Sequence, residues 1–93
     1  MANVTLRGHI IVPSAEVEAV TAELTNHIAL TRAEQGCIVF EVSKDAANSN
    51  RFNVYEEFRD PASFLQHQKR VAASDWGSVT KNVARFYEIE GLD

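Results

Sequence analysis

From Val4 to Val12 apolar side chains alternate with others, with Val4, Leu6, Ile10 and Val12 in step. That period of two predicts a β-strand. Pro13-Ser14 interrupts it, and Ser14 is the expected N-cap of a following helix. From Ala15 to about Ala33 the period lengthens. Val17, Val20, Leu24, Ile28 and Thr31 fall on one helical stripe, with Glu16, Glu18 and Glu23 off it. Glu16 and Glu18 also lie in the first turn, where the helix dipole favours carboxylates. Gly36 is the natural break. Cys37–Lys44 and Arg51–Phe58 read as two further strands, the first with Ile38, Phe40 and Val42 on a common face. The small polar run DAANSN between them reads as a hairpin loop. Asp60-Pro61 starts a second helix, with Asp as cap and Pro in the first turn. It carries Phe64, His67 and Val71 on one face and is expected to end near Ser74. DWGSVTKN reads as a short extra helical turn, and Val83–Glu90 as the last strand.

The order β-α-β-β-α-β with right-handed crossovers predicts an α+β, ferredoxin-like fold. It is a four-stranded antiparallel sheet with both helices on one face. Alternation assigns Ile11, Val39, Tyr55 and Phe86 to the opposite face. That face is too apolar for water, so a homodimer through the open side of the sheet is expected.

Composition narrows the function classes. The 93 residues suit one domain spanning 1–93, and 45% hydrophobic with 24% charged residues is ordinary for a globular chain. A net charge of -4, with no basic stripe, argues against nucleic acid and anionic membranes as partners. The lone cysteine, Cys37, excludes an intrachain disulfide and fits a reducing compartment. The first residues, MANVTLRGHIIV, place Arg7 inside a short apolar run with no small-residue cleavage pattern, unlike a signal peptide or a membrane span. A cytoplasmic location is expected.

Several side chains are candidates for chemistry. His67 shares a helix face with Phe64 and Val71 and points toward the sheet. A neutral imidazole there is either a core histidine bonded to a backbone carbonyl or a proton acceptor near pH 7. Glu56 alternates with Phe52, Val54 and Phe58, so it shares their apolar face, where a carboxylate needs a partner or reaches water at the strand end. A Glu56–His67 acid/base pair between sheet and helices follows. His27 lies at the edge of the first helix's stripe, at a pocket mouth or beside the core; His9 falls on the open sheet face. Trp76 and Tyr55 are large, with polar handles, and suit either packing or a flat ligand. Phe40 reads as core that also forms a pocket wall. The four glycines make no phosphate-cradling motif, and the histidines at 9, 27 and 67 lack metal-ligand spacing.

Two stretches, EQGCIVFEVSKD and RFNVYEEFRDPASFLQH, carry a likeness. The pattern is acidic-x-Gly-Cys-x-x-aromatic-Glu, then an aromatic strand with Tyr-Glu, then Asp-x-x-x-Phe-x-x-His. It resembles the antibiotic biosynthesis monooxygenase domain family, whose members form dimeric α+β barrels. The side-chain positions give His67 and Glu56 as the catalytic pair, with Phe40, Tyr55, Trp76 and His27 around the substrate, and the resemblance strengthens the case for His67. It implies oxidation of a reduced aromatic, a quinol or anthrone, by O₂ without a cofactor. The haem-degrading branch of similar proteins carries a tryptophan where His67 stands and a histidine four positions after the next aromatic; here that position is Thr80. Two other readings stand beside the monooxygenase. One is an acid/base isomerase of a small carbonyl compound, whose phosphorylated form would be held by Arg70 or Arg7. The other is a dimer that binds a small molecule without turnover.

Overall fold

The structure is a computed structural model and describes residues 3–92. Four strands, β1 (Val4–Ile11), β2 (Cys37–Lys44), β3 (Arg51–Phe58) and β4 (Ala84–Glu90), form one antiparallel sheet in the order β2-β3-β1-β4. Helices α1 (Val17–Arg32), α2 (Pro61–Ala72) and the short α3 (Asp75–Val79) cover one face. The expected α+β, ferredoxin-like arrangement is therefore the observed one. Because β3 lies between β1 and β2, and β1 between β3 and β4, each helix carries the chain past one intervening strand.

The period-of-two reading puts the right residues inside. Val4, Leu6 and Ile10 of β1 and Phe52, Val54 and Phe58 of β3 are buried under the helices. They form two apolar clusters: Phe64 joins the Val4–Leu6–Phe58 group, and Val20 and Trp76 join the Ile10–Phe52 group. Inner position 8 of β1 is a glycine, paired with Val54 and Tyr87. At its φ of 154° a Cβ would fall on the Phe86 carbonyl of β4, so only glycine lets β1 and β4 close here. On the other face Phe86 is 53% exposed and stacks on His9 at 4.9 Å, while the Arg7 guanidinium lies over Tyr55. Among the described residues no helix is long and apolar enough to cross a membrane.

Local chemistry explains most helix boundaries and corrects some. Asp60 caps α2, its Oδ1 accepting the Ser63 N–H at 2.8 Å, with Pro61 opening the helix. Ser74, expected near the end of α2, instead caps α3: its Oγ accepts the Gly77 N–H. Ser14 does not cap α1. A 3-10 turn occupies Ser14–Glu16, and Ser14 Oγ accepts from Asn50 Nδ2. On β2, Cys37 pairs with Phe58 and Val39 with Glu57, which leaves Ile38 as a bulge residue, 51% exposed. Ile38 therefore does not share the inner face with Phe40 and Val42, as unbroken alternation would require.

Candidate functional site

The inner face of the sheet holds a polar cluster that alternation alone could not assemble. Glu56 lies opposite Leu6 on one side and Phe40 on the other, in the middle of β3, and is 7% exposed. His67 descends onto it from α2 and is 2% exposed. The imidazole ring packs on Phe58 at 4.8 Å and on Phe40 at 5.8 Å between ring centres. Its Nδ1 lies 2.7 Å from Glu34 Oε1. A carboxylate only accepts, so Nδ1 carries the hydrogen and Nε2 keeps a lone pair. That lone pair faces Glu56 Oε1 at 3.8 Å, too long for a hydrogen bond, and Glu56 Oε1 has no other partner.

Protonation follows from burial. Loss of solvent, reinforced by Glu34, raises the Glu56 pKa to about 7, so the acid is largely protonated below neutrality. Burial likewise lowers the His67 pKa, against the opposing pull of Glu34. The resting pair is a carboxylic acid beside a neutral imidazole. Its O–H is one small movement from the Nε2 lone pair, an arrangement suited to holding and passing a proton.

Glu34 belongs to the turn after α1 and was not among the sequence candidates, although it is the acidic residue of the EQGC stretch. It receives Arg70 Nη2 at 3.3 Å as well as His67, and Arg70 Nη2 also donates to Thr31 at 3.0 Å. Gly36 makes the turn possible. A Cβ there would collide with the Ser63 side chain, and its carbonyl accepts the Arg59 N–H at 2.9 Å. An acidic residue in a turn has no periodic signature, so only the fold could connect it with a histidine 33 positions away.

His27 lies deeper than the edge of its stripe. The stripe of α1 turns its side chain inward, and it is 4% exposed, while Ile28 is only half-buried. Its ring stacks on Trp76 with centres 4.5 Å apart and planes within 3°. It meets Phe40 edge-on at 5.3 Å and lies 6.2 Å from the His67 ring. Burial, with the nearby His67 and Arg70, lowers its pKa to about 4, so it is neutral at pH 7. Its Nδ1 is buried without a partner.

One open cleft near this cluster lies outside the space between sheet and helices. It lies between α1 and the α2–α3 turn, has a volume of about 410 Å³, and is bounded by Glu23, Asn26, His27, Arg70, Asp75 and Trp76. Of the sequence candidates, His27 and Trp76 reach it. Phe40, His67 and Glu56 do not line it. Tyr55 is on the opposite face of the sheet, its hydroxyl donating to Glu57, and cannot join this cleft. Among the described residues no group of histidine, cysteine and carboxylates is arranged to hold a metal ion.

The chain and its fold match known proteins. Residues 4–77 match the antibiotic biosynthesis monooxygenase family, and the chain belongs to that family. Among solved structures it is similar to a conserved protein of unknown function from Bacteroides thetaiotaomicron, provisionally described as an oxidoreductase. That pair shares 16% identity over 95% of each chain, with a TM-score of 0.80. A protein from Nitrosomonas europaea, provisionally assigned as an antibiotic biosynthesis monooxygenase, shares 18% identity over 95% of this chain and 93% of its own, TM-score 0.77. PA3566 from Pseudomonas aeruginosa shares 24% over 97% and 91%, TM-score 0.75. No curated protein matches the chain. Membership of the family supports a general monooxygenase-like role.

Proposed function

We propose that the protein is a cofactor-independent monooxygenase that oxidises a small reduced aromatic compound, quinol- or anthrone-like, with O₂. The supporting observation is the neutral His67, held by Glu34 and backed by Glu56, close behind an aromatic-walled cleft. A substrate ring settles against Trp76; for its acidic proton to reach the base, His27 and the His67–Glu56 pair must shift, since His67 does not line the cleft. For an anthrone, His67 takes a ring C–H proton and leaves an electron-rich carbanion. The carbanion gives its electrons to O₂ and forms a C–O bond, and the peroxide receives a proton. Loss of the second C–H proton with cleavage of the O–O bond yields the ring carbonyl and one water. One oxygen atom enters the product, the other leaves as water, and the substrate, its CH₂ oxidised to C=O, supplies all four electrons. The chain's part is to hold the ring, exclude water and move the proton.

The test is O₂ uptake by the purified protein with a panel of quinols and anthrones, wild type beside His67→Gln and Glu56→Gln. The glutamine at 67 preserves a donor for Glu34 and removes the base. Uptake by wild type that falls at least about a hundredfold in folded His67→Gln is expected for loss of a general base. Absence of uptake across the panel refutes the oxygenase. Arg70 on the cleft wall favours a second reading, an acid/base isomerase of a small phosphorylated carbonyl compound. Proton exchange into such a compound in D₂O without O₂ distinguishes it.

A further inference from the structure

The walls of the cleft carry information about ligand charge that the acid/base cluster does not. Two carboxylates, Glu23 of α1 and Asp75 of α3, stand on opposite rims. The one cation on the wall, Arg70, is partly engaged: its Nη2 donates to Thr31 and to Glu34, while its Nε is buried without a partner. With Glu34 counted, the surroundings are net negative, which opposes an anionic ligand. Trp76 and Leu30 supply apolar wall, and His27 supplies a buried ring whose Nδ1 has no partner. An unpartnered buried polar atom is costly, so a ligand oxygen that reached it would recover that cost.

We propose that this cleft binds an uncharged hydroxylated aromatic compound, its ring against Trp76 and its hydroxyl oxygen hydrogen-bonded by His27, and that Glu23 and Asp75 exclude carboxylated or phosphorylated relatives. The groups facing His27 from neighbouring elements are His67 and Arg70 of α2 and Glu34 of the turn after α1. Glu23 and Asp75 share the cleft wall with it. A neutral imidazole is both donor and acceptor, and so suits a phenol that must release its proton elsewhere. Recognition is then divided from chemistry: His27 reads the oxygen, and His67 behind it takes the proton.

The inference rests on the cleft being the substrate site, but not on O₂ chemistry. Binding of 2-naphthol, of 6-hydroxy-2-naphthoate and of phenyl phosphate is measured by titration calorimetry. The indole N–H resonance of Trp76, the lone tryptophan, locates each ligand. Wild type should bind 2-naphthol at least roughly tenfold more tightly than the naphthoate, the size of effect expected from two solvent-facing rim charges at about 1 kcal/mol each. His27→Phe keeps a ring for Trp76 to stack on and removes the hydrogen bond; affinity for 2-naphthol should drop about tenfold. The double variant Glu23→Gln, Asp75→Asn changes only the rim. It should leave 2-naphthol binding unchanged and bring the naphthoate to within about threefold of it. Equal or tighter binding of the naphthoate or the phosphate by wild type would overturn the proposal and make Arg70 the reader. So would an unchanged 2-naphthol affinity in folded His27→Phe, or no shift of the Trp76 resonance. Naphthol binding as described, without O₂ uptake on any quinol, would remove the oxygenase reading and leave this one standing.

Discussion

Glu56 offers the sharpest test of the site, because its burial makes a signed and sizeable statement about stability. Its folded pKa is raised to about 7 from an ordinary 4.5 by loss of solvent and by Glu34. A raised acid binds its proton more tightly when folded. The associated stability is therefore complete below pH 4.5 and lost as pH rises through about 7. At about 1.4 kcal/mol per pH unit, the span from 4.5 to about 7 amounts to roughly 3 kcal/mol. His27 works with the opposite sign. Its pKa is lowered from 6.5 to about 4, so its stability is present above 6.5 and lost as pH falls toward 4. Between about 4.5 and 6.5 the two oppose each other, and the wild-type profile alone conceals both. Glu56→Gln separates them, since glutamine does not titrate. Urea unfolding of wild type and Glu56→Gln at fixed protein concentration, from pH 4.5 to 8, gives the difference directly. The advantage of wild type over the variant should decline by roughly 3 kcal/mol across that range, and the variant alone should gain stability with rising pH as His27 loses its proton. A difference constant to within about 0.5 kcal/mol, the scatter of surface substitutions, would refute the buried acid and with it the proton-holding pair.

Other expectations follow from the same geometry. His67→Ala empties a site packed on Phe58 and Phe40 and orphans Glu34, and should cost about 2–4 kcal/mol by denaturant unfolding. Phe64→Ala, at a side chain 1% exposed, should cost roughly 3–5 kcal/mol and serves as the pure packing reference. Asp60→Ala removes the cap of α2 and should cost about 1 kcal/mol in the same assay, while Asp60→Asn should be nearly neutral. The open sheet face, with Phe86 exposed and a hollow of about 470 Å³ lined by Arg7, His9 and Phe86, is expected to pair with a second copy. Light scattering should give twice the chain mass for wild type and the single-chain mass for Phe86→Glu; a wild-type monomer at micromolar concentration would rule the pairing out.

The element order, both main helices and the two faces of the sheet were legible in the residues themselves. The reason is that side-chain periodicity is local: a period of two or of 3.6 is set by bond geometry and must match burial wherever one face is covered. Asp60-Pro61, the DAANSN loop and the inward placement of Phe64, His67 and Glu56 are all consequences of that rule. What failed locally failed for tertiary reasons. The Ile38 bulge depends on how β2 meets β3, Ser74 serves α3 because α2 ends first, and the chain past Pro13 makes a 3-10 turn instead of a capped helix. The site divides along the same line. Its two deepest residues, His67 and Glu56, were readable from spacing, as inward positions on a helix and a strand. Tyr55 on the far face was already given by alternation, whereas Glu34 as the partner of His67 and the stacking of His27 on Trp76 were decided only when the crossovers set turn, helix and strand against one another. Sequence period says which way a side chain points, whereas its neighbour across the core depends on the packing of distant segments, and hydrogen bonding, protonation and ligand access all depend on that neighbour.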